Sequence, residues 1–267
     1  MLSLFLSTMA SFRTEGVTIV TDFAGVNGLG AANALAEAGA WAVIFTDIDG
    51  SRVSKAAEES KYATNAAYQS RAYALDVTDA YAVEAVFGKV VGEFGKIDYL
   101  VNSAGIDTAQ YVAAPANDMN DYDRVLDKQE PRSLVSKTGM KRDLGRGAIV
   151  NVTSLLSYAG VQGKVVYVAS KHAALGITKA LALDTTADGI RVNLLAPGHT
   201  RTPMFEGKCK KTPQVMDFIK AAVPAGRPLE PEEVGEGVVY LCSPMAGYVN
   251  GIGLIMDSGL SLTVHVG

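Results

Sequence analysis

"VTIVTDFAGVNGLGAANALAEAGAWAVIFTD", Val17 to Asp47, decides the fold. "VTIV" is a run of β-branched apolar residues, so it reads as a strand buried on both faces. A glycine-rich turn follows. "AANALAEAGA" is then rich in helix formers and stops at Gly39, which serves as a C-cap. "WAVIFTD" is a second buried strand ending at Asp47. Two buried strands joined through a helix run parallel, with a right-handed crossover.

The alternation continues along the chain. "SRVSKAAEES" reads as a polar helix and "RAYALDV" as a third strand. Asp79 to Phe94 reads as a helix with Asp79 near its N-cap. "IDYLVN" and "GAIVNVTS" are the fourth and fifth strands. Tyr167 to Leu183 has helical spacing and few breakers. "IRVNLLAPG" is a sixth strand, ended by Pro197 and Gly198. Pro231 to Leu241 is a helix that opens with Pro in its first turn, and "GIGLIMD" is a last strand. The fold class is therefore α/β, a single doubly wound domain with a mainly parallel sheet and helices on both faces. A ligand belongs outside the C-terminal strand ends, where strand order reverses.

No internal repeat or linker interrupts residues 16–267, which form one domain. Residues 1–15 are a leader: "MLSLFLSTMASF" is apolar but lacks a basic start and is broken by Ser3 and Ser7. No later stretch is long and apolar enough to span a bilayer. A net charge of -4 argues against a nucleic-acid surface and for a small-molecule partner. Cys209 and Cys242 are too few for a disulfide framework, which fits a reducing, cytoplasmic setting. His172, His199 and His265 lack metal-ligand spacing.

One segment breaks the pattern. "DKQEPRSLVSKTGMKRDLGRG", Asp127 to Gly147, sits where a crossover helix should precede the fifth strand. Its apolar stripe is thin, and Pro131 and Gly139 interrupt it. An interior Pro costs ~3 kcal/mol in a helix. The segment reads as a solvated loop with a short helix.

The chemistry gathers in "YVASK", Tyr167 to Lys171, with Ser154 upstream in "NVTS": S-x12-Y-x3-K. Tyr and Lys four residues apart share a helix face. A phenol of pKa ~10 is a poor acid or base at neutral pH, and a nearby ammonium favours the phenolate. Ser154, at a strand end, can donate to a substrate oxygen. An oxygen anchor, a proton exchanger and a tuning charge are what carbonyl–alcohol interconversion needs.

This constellation resembles the short-chain dehydrogenase/reductase family, from about Val17 to Leu260. The resemblance implies a Rossmann-type fold and a nicotinamide cofactor. Hydride would pass between the nicotinamide and a carbonyl carbon while Tyr167 transfers the proton. Lys171 would also hold the nicotinamide ribose. "NSAG" matches the family's N-N-A-G, implying cofactor contacts from Asn102, Ala104 and Gly105. Asp76 and Val77 in "LDV" match the segment beside the adenine. "PGHTRTPM" matches the segment whose backbone, Thr200 and Thr202 meet the carboxamide region. Asp47 would accept the adenosine ribose diol and repel a 2′-phosphate, so NAD(H) is expected over NADP(H). Helix capping by Asp47 remains an alternative, and Asp49 is near enough to share either role.

The family's glycine turn is T-G-x3-G-x-G. Matching Gly28 and Gly30 puts Phe23 and Ala24 where Thr and the first Gly belong. Matching Thr21 leaves Asp22 in the first Gly place and two extra residues in the turn. Gly28, Leu29 and Gly30 would bring the backbone and helix N-terminus to the pyrophosphate, with Gly25 supplying the sharp turn. The Asn that the family carries in the crossover helix has Gln129 as its nearest counterpart, which is given no role. That helix also builds a dimer face in the family, so a homo-oligomer stays open here. Thr202 to Pro228 falls where the family keeps a substrate lid. Met204, Phe205, Met216 and Phe218 could line an apolar wall suited to a bulky, polycyclic or polyketide-like alcohol or ketone, and Cys209 reads as incidental. Two other functions stay open: an NADP(H)-dependent 3-oxoacyl-thioester reductase, and a relative kept as a binding or scaffolding subunit.

Overall fold

The computed structural model describes residues 12–21, 26–60, 63–105, 132–135 and 141–263. In chain order the elements are β1 (Val17–Thr21), α1 (Val26–Glu37), β2 (Ala42–Asp47), α2 (Gly50–Glu59), β3 (Gln69–Ala74), α3 (Ala80–Phe94) and β4 (Tyr99–Asn102). Then come β5 (Arg132–Val135), β6 (Lys141–Gly145), β7 (Gly147–Val152), α4 (Val165–Asp184) and β8 (Ile190–Pro197). The chain continues with α5 (Pro203–Lys211), α6 (Gln214–Ala222), α7 (Pro231–Cys242) and β9 (Gly253–Met256). No described helix is long and apolar enough to cross a membrane.

Seven strands form one sheet in the order β3-β2-β1-β4-β7-β8-β9, and every pair in it is parallel. Alternation along each strand divides the core. Val20, Phe45, Val101 and Val150 face α1, α2 and α7, whose Leu35, Val53 and Val238 meet them. Ile19, Ile44, Leu100 and Ile149 face the other way, toward Phe87 and Val90 of α3 and Leu181 of α4. β1, β2, β4 and β7 are thus apolar on both faces, as their sequences require. Chain order reverses beside β1: β2 lies on one flank and β4 on the other. The crevice between their C-terminal ends opens at Thr21 and Asn102.

Capping follows the sequence closely. Asp79 accepts the amides of Tyr81 and Ala82 at the start of α3, and Gly95 ends that helix in the left-handed region at φ 78°. Glu230 and Glu233 form a capping box at α7, with Pro231 in its first turn. At the opposite end of the sheet, the buried Asp98 accepts the Val17 amide at 2.8 Å and pairs with Lys96 at 3.1 Å. The Lys96 ammonium in turn lies over the Trp41 ring.

Two readings need correction. The segment before β7 contains no short helix among its described residues; it holds the antiparallel pair β5–β6. The β-prone "SLV" takes a strand instead. Gly145 closes the pair with φ 68°, its Cα set against the backbone of Gly189, where an added Cβ would overlap. Helix α1 begins at Val26, five residues before the predicted start at Ala31. Glycines at 28 and 30 are poor helix formers, but packing reverses that preference. A Cβ on Gly30 would lie 2.1 Å from the Pro231 carbonyl oxygen, and one on Gly235 would lie 2.3 Å from the Gly30 oxygen. The two glycines let α1 and α7 touch backbone to backbone.

Gly30→Ala is therefore expected to lower stability by about 1–3 kcal/mol, the usual cost of overpacking. Gly88→Ala on α3, where an added methyl meets nothing within 4 Å, is expected to raise it by about 0.5–1 kcal/mol. Urea unfolding of both variants checks this; the opposite order of midpoints would show that α1 and α7 are not held at that contact.

Candidate active site

The C-terminal strand ends are tied together by side chains. The Thr21 hydroxyl, at the tip of β1, accepts the amides of Ser103 and Ala104 at 3.2 and 3.3 Å. This folds the "NSAG" turn back over the crevice. Asn102 and Asn151 are register partners on β4 and β7. Asn102 Nδ2 donates to Asn151 Oδ1, and Asn151 Nδ2 donates to the Thr178 hydroxyl, both at 2.9 Å. Thr178 is buried and donates to the Ala174 carbonyl at 2.8 Å. The chain of bonds fixes α4 against the strand tips. Thr21, Asn151 and Thr178 were not among the sequence-derived site residues; the signal was Asn151's place in "NVTS", beside Ser154.

Ser154 follows β7 and opens a 3-10 turn, Leu155–Ser157, that packs on α4. Its Oγ accepts the Leu156 amide at 3.2 Å, which leaves its own hydrogen to donate. The turn is held by Thr153, whose hydroxyl meets Ser157 Oγ at 3.0 Å. Tyr167 and Lys171 stand one turn apart on α4, with the Lys171 ammonium 5.2 Å from the centre of the Tyr167 ring. The same ammonium lies 3.3 Å from where a Cβ on Gly105 would be. Gly105, Tyr167 and Lys171 therefore meet, and the glycine's missing side chain leaves the lysine its place. The Lys164 ammonium also lies 5.2 Å from the ring centre, a neighbour that the sequence reading did not single out.

On the other side of the crevice the two aspartates divide their work. Asp49 caps α2, accepting the amides of Ser51 and Arg52 and the Ser51 hydroxyl. The Ser51 hydroxyl first, then the Arg52 amide, hold its carboxyl below the usual carboxylate range. Asp47 is not the cap. It ends β2, is buried, and accepts the Asp49 amide at 2.9 Å. Asp76 accepts the hydroxyl and amide of Thr78, and these bonds, the hydroxyl first, keep its carboxyl low. Val77 beside it is half-buried. Gly28, Leu29 and Gly30 lie in the first turns of α1, with Leu29 exposed. Thr200 is buried and pairs with Leu229. The Thr202 hydroxyl accepts the Phe205 amide at 3.1 Å, at the start of α5. Gly25 and Gln129 lie outside the described residues.

The family model described as Enoyl-(Acyl carrier protein) reductase matches residues 25–261. Short-chain dehydrogenase fogB of Aspergillus ruber is 38% identical over 260 residues, covering 90% of this chain and 95% of that protein. The chain belongs to the short-chain dehydrogenase/reductase family. A 7α-hydroxysteroid dehydrogenase complexed with NADH and 7-oxo glycochenodeoxycholic acid matches with a TM-score of 0.76 and 25% identity, over 94% of this chain and 96% of that one. An actinorhodin polyketide ketoreductase variant with NADPH matches with a TM-score of 0.72 and 28% identity, over 93% and 98%.

As a short-chain dehydrogenase/reductase, the protein is an NAD(P)-dependent oxidoreductase acting on CH–OH groups. Its residues fit such a dinucleotide. The crevice lies at the switch point of a parallel sheet, a carboxylate ends β2, and the side-chain-free Gly105 borders an ammonium.

The segment expected to form a substrate lid, Thr202 to Pro228, carries α5 and α6. Its Phe205 and Met216 are half-buried, Phe218 is exposed and meets the His199 ring edge-on at 6.0 Å, and the side chain of Met204 lies outside the described residues. Both ends of that segment are clamped. Arg201 N–H donates to the Leu229 carbonyl, and Leu229 N–H to that of His199, each at 2.8 Å. Arg201 Nε reaches both Glu230 oxygens at 2.9 and 3.0 Å. Arg227 makes two bonds to Glu233, at 2.8 and 2.7 Å, and Glu233 also accepts the Glu230 amide. These donors, Arg227 first, bring the Glu233 carboxyl from an ordinary 4.5 down to about 2.

A depressed folded-state pKa gives stability that is complete above the unfolded value and is lost as pH falls through the folded one. The clamp should hold at neutral pH, weaken below pH 4.5 and be gone below about 2. Because the pair is partly exposed, Glu233→Gln is expected to cost only about 0.5–1 kcal/mol at pH 7. Urea unfolding across pH 2–7 checks this: the difference between the two proteins should shrink toward acid, and a constant difference would contradict it.

Proposed function

We propose that the protein is a NAD(H)-preferring dehydrogenase or ketone reductase for a bulky, hydrophobic secondary alcohol or ketone of polyketide-like character. The single observation carrying this reading is the Lys171 ammonium set between the Tyr167 ring and the Gly105 turn. Ser154, with a hydrogen to donate, anchors the substrate oxygen. Tyr167 exchanges the proton with that oxygen, giving it in reduction and taking it in oxidation. Lys171 favours the phenolate and would hold the nicotinamide ribose. What a bound nicotinamide supplies is the hydride, to or from the carbonyl carbon.

Asp47, Asp76, Val77, Asn102, Ala104, Gly105, Thr200 and Thr202, with Gly25, Gly28, Leu29 and Gly30, would hold the dinucleotide. Asp49's capping of α2 supports the assignment of Asp47 to the ribose, because the helix does not need it. A buried carboxylate at that strand end disfavours a 2′-phosphate. The half-buried phenylalanine and methionine of α5 and α6 support an apolar substrate, as do the 7-oxo glycochenodeoxycholic acid bound to one structural neighbour and the naming of the other as a polyketide ketoreductase. Residues 16–267 act as one catalytic unit in this reading. Two free cysteines suit the cytoplasm.

Tyr167→Phe is expected to lower ketone reduction by roughly 10²–10⁴-fold, the usual contribution of a proton-transfer group. NADH binding, followed by fluorescence titration, should change little. Retained turnover would remove the proton-transfer role, and absence of NADH binding by the parent protein would favour a scaffolding subunit. Asp47→Ala is expected to relax the preference for NADH over NADPH by about tenfold, equivalent to ~1.4 kcal/mol. An unchanged ratio of kcat/KM values for the two cofactors would show that Asp47 does not read the ribose.

A further inference from the structure

The Tyr167 ring has two ammonium neighbours, and the mechanism above uses one. Lys164 precedes α4, at its N-cap position. Gly163 presents it with φ 80°, in the left-handed region that an L side chain resists. Lys164 is three residues before Tyr167 and Lys171 four after, so both share the tyrosine's helix face, one turn to either side. Both ammonium groups stand 5.2 Å from the ring centre, within the range where a cation is attracted to an aromatic ring. Lys171 occupies the end beside Gly105. Lys164 follows the exposed residues Val161 to Gly163 along the chain.

We propose that Lys164 is a second tuning charge on Tyr167, a positioning residue that shares with Lys171 the work of stabilising the phenolate. The inference rests on the reading of Tyr167 as the proton-transfer group. Two positive charges beside the ring favour the ionised ring oxygen more than one charge alone. Removing one raises the pH at which the phenol ionises. The oxidation reaction, which needs the phenolate, then requires more alkaline conditions, and the reduction reaction, which needs the phenol, persists to higher pH.

The surrounding elements bring other groups that must be weighed. On α4, His172 Nδ1 faces the Val168 carbonyl at 3.0 Å, and Lys179 and Asp184 lie further along. The 3-10 turn packed on α4 leads into Tyr158, whose hydroxyl donates to the Gly253 carbonyl at 3.4 Å. Strand β8, also packed on α4, carries Arg191 near its opposite end, where it donates to the Leu241 and Cys242 carbonyls at 2.7 and 3.2 Å. The "NSAG" turn carries no charged side chain. Lys164 and Lys171 are the two cations in contact with the ring among the described residues.

The test is a spectrophotometric titration of tyrosinate, with the Tyr167→Phe protein subtracted so that one phenol is read. Lys164→Met and Lys164→Gln should each move that titration upward by about one pH unit, and Lys164→Arg should leave it in place. The acid limb of kcat/KM for alcohol oxidation should move upward with it, while the KM for NAD+ stays constant. A titration unmoved in both neutral variants overturns the proposal. Failure of the functional reading looks different: the parent protein then turns over no alcohol or ketone, whatever the titration shows.

Discussion

A single ammonium, on Lys171, joins the chemistry to the fold. It stands against the Tyr167 ring on one side and the backbone of Gly105 on the other. The ring belongs to α4 and the glycine to the turn after β4, two elements far apart in sequence. For one charge to touch both, the helix must lie against the strand tips in a fixed register. Everything that fixes that register is in effect part of the site.

Two sets of interactions do the fixing. The Asn102–Asn151–Thr178 chain pins β4 and β7 to α4, and Thr21 folds the turn of Ser103 and Ala104 over the crevice. Beneath them the parallel sheet is apolar on both faces, so a slip of one residue would exchange its two cores. At the far end Asp98 and Lys96 hold the start of β1. The segment of α5 and α6 is held at its ends by Arg201–Glu230 and Arg227–Glu233.

Much of this was legible in the sequence, for physical reasons. Runs such as "VTIV" and "WAVIFTD" are apolar throughout, and only strands buried on both faces need that. Asp79, Gly95 and Pro231 mark helix ends by local bonding that depends on nothing distant. Ser154, Tyr167 and Lys171 carry their spacing on the page. The rest depends on partners far along the chain. Gly28 and Gly30 argue locally against helix, yet α1 includes them because α7 approaches through Gly235. Asp47 ends its strand by sequence with Asp49 near enough to share its role, and the amides of Ser51 and Arg52 make Asp49 the helix cap. The β5–β6 pairing exists through bonds between strands, which a charged, broken stretch does not announce. Lys164 sits at no motif position, and its contact with Tyr167 follows from where α4 starts.

The central claim is that the charge of Lys171, acting beside Tyr167, is what allows this crevice to exchange a proton with a substrate oxygen. The most direct measurement is turnover of Lys171→Ala with and without added methylammonium. The account predicts a loss of at least about a hundredfold and partial recovery when the small cation can enter the vacated place. Undiminished turnover in Lys171→Ala without the amine would contradict it.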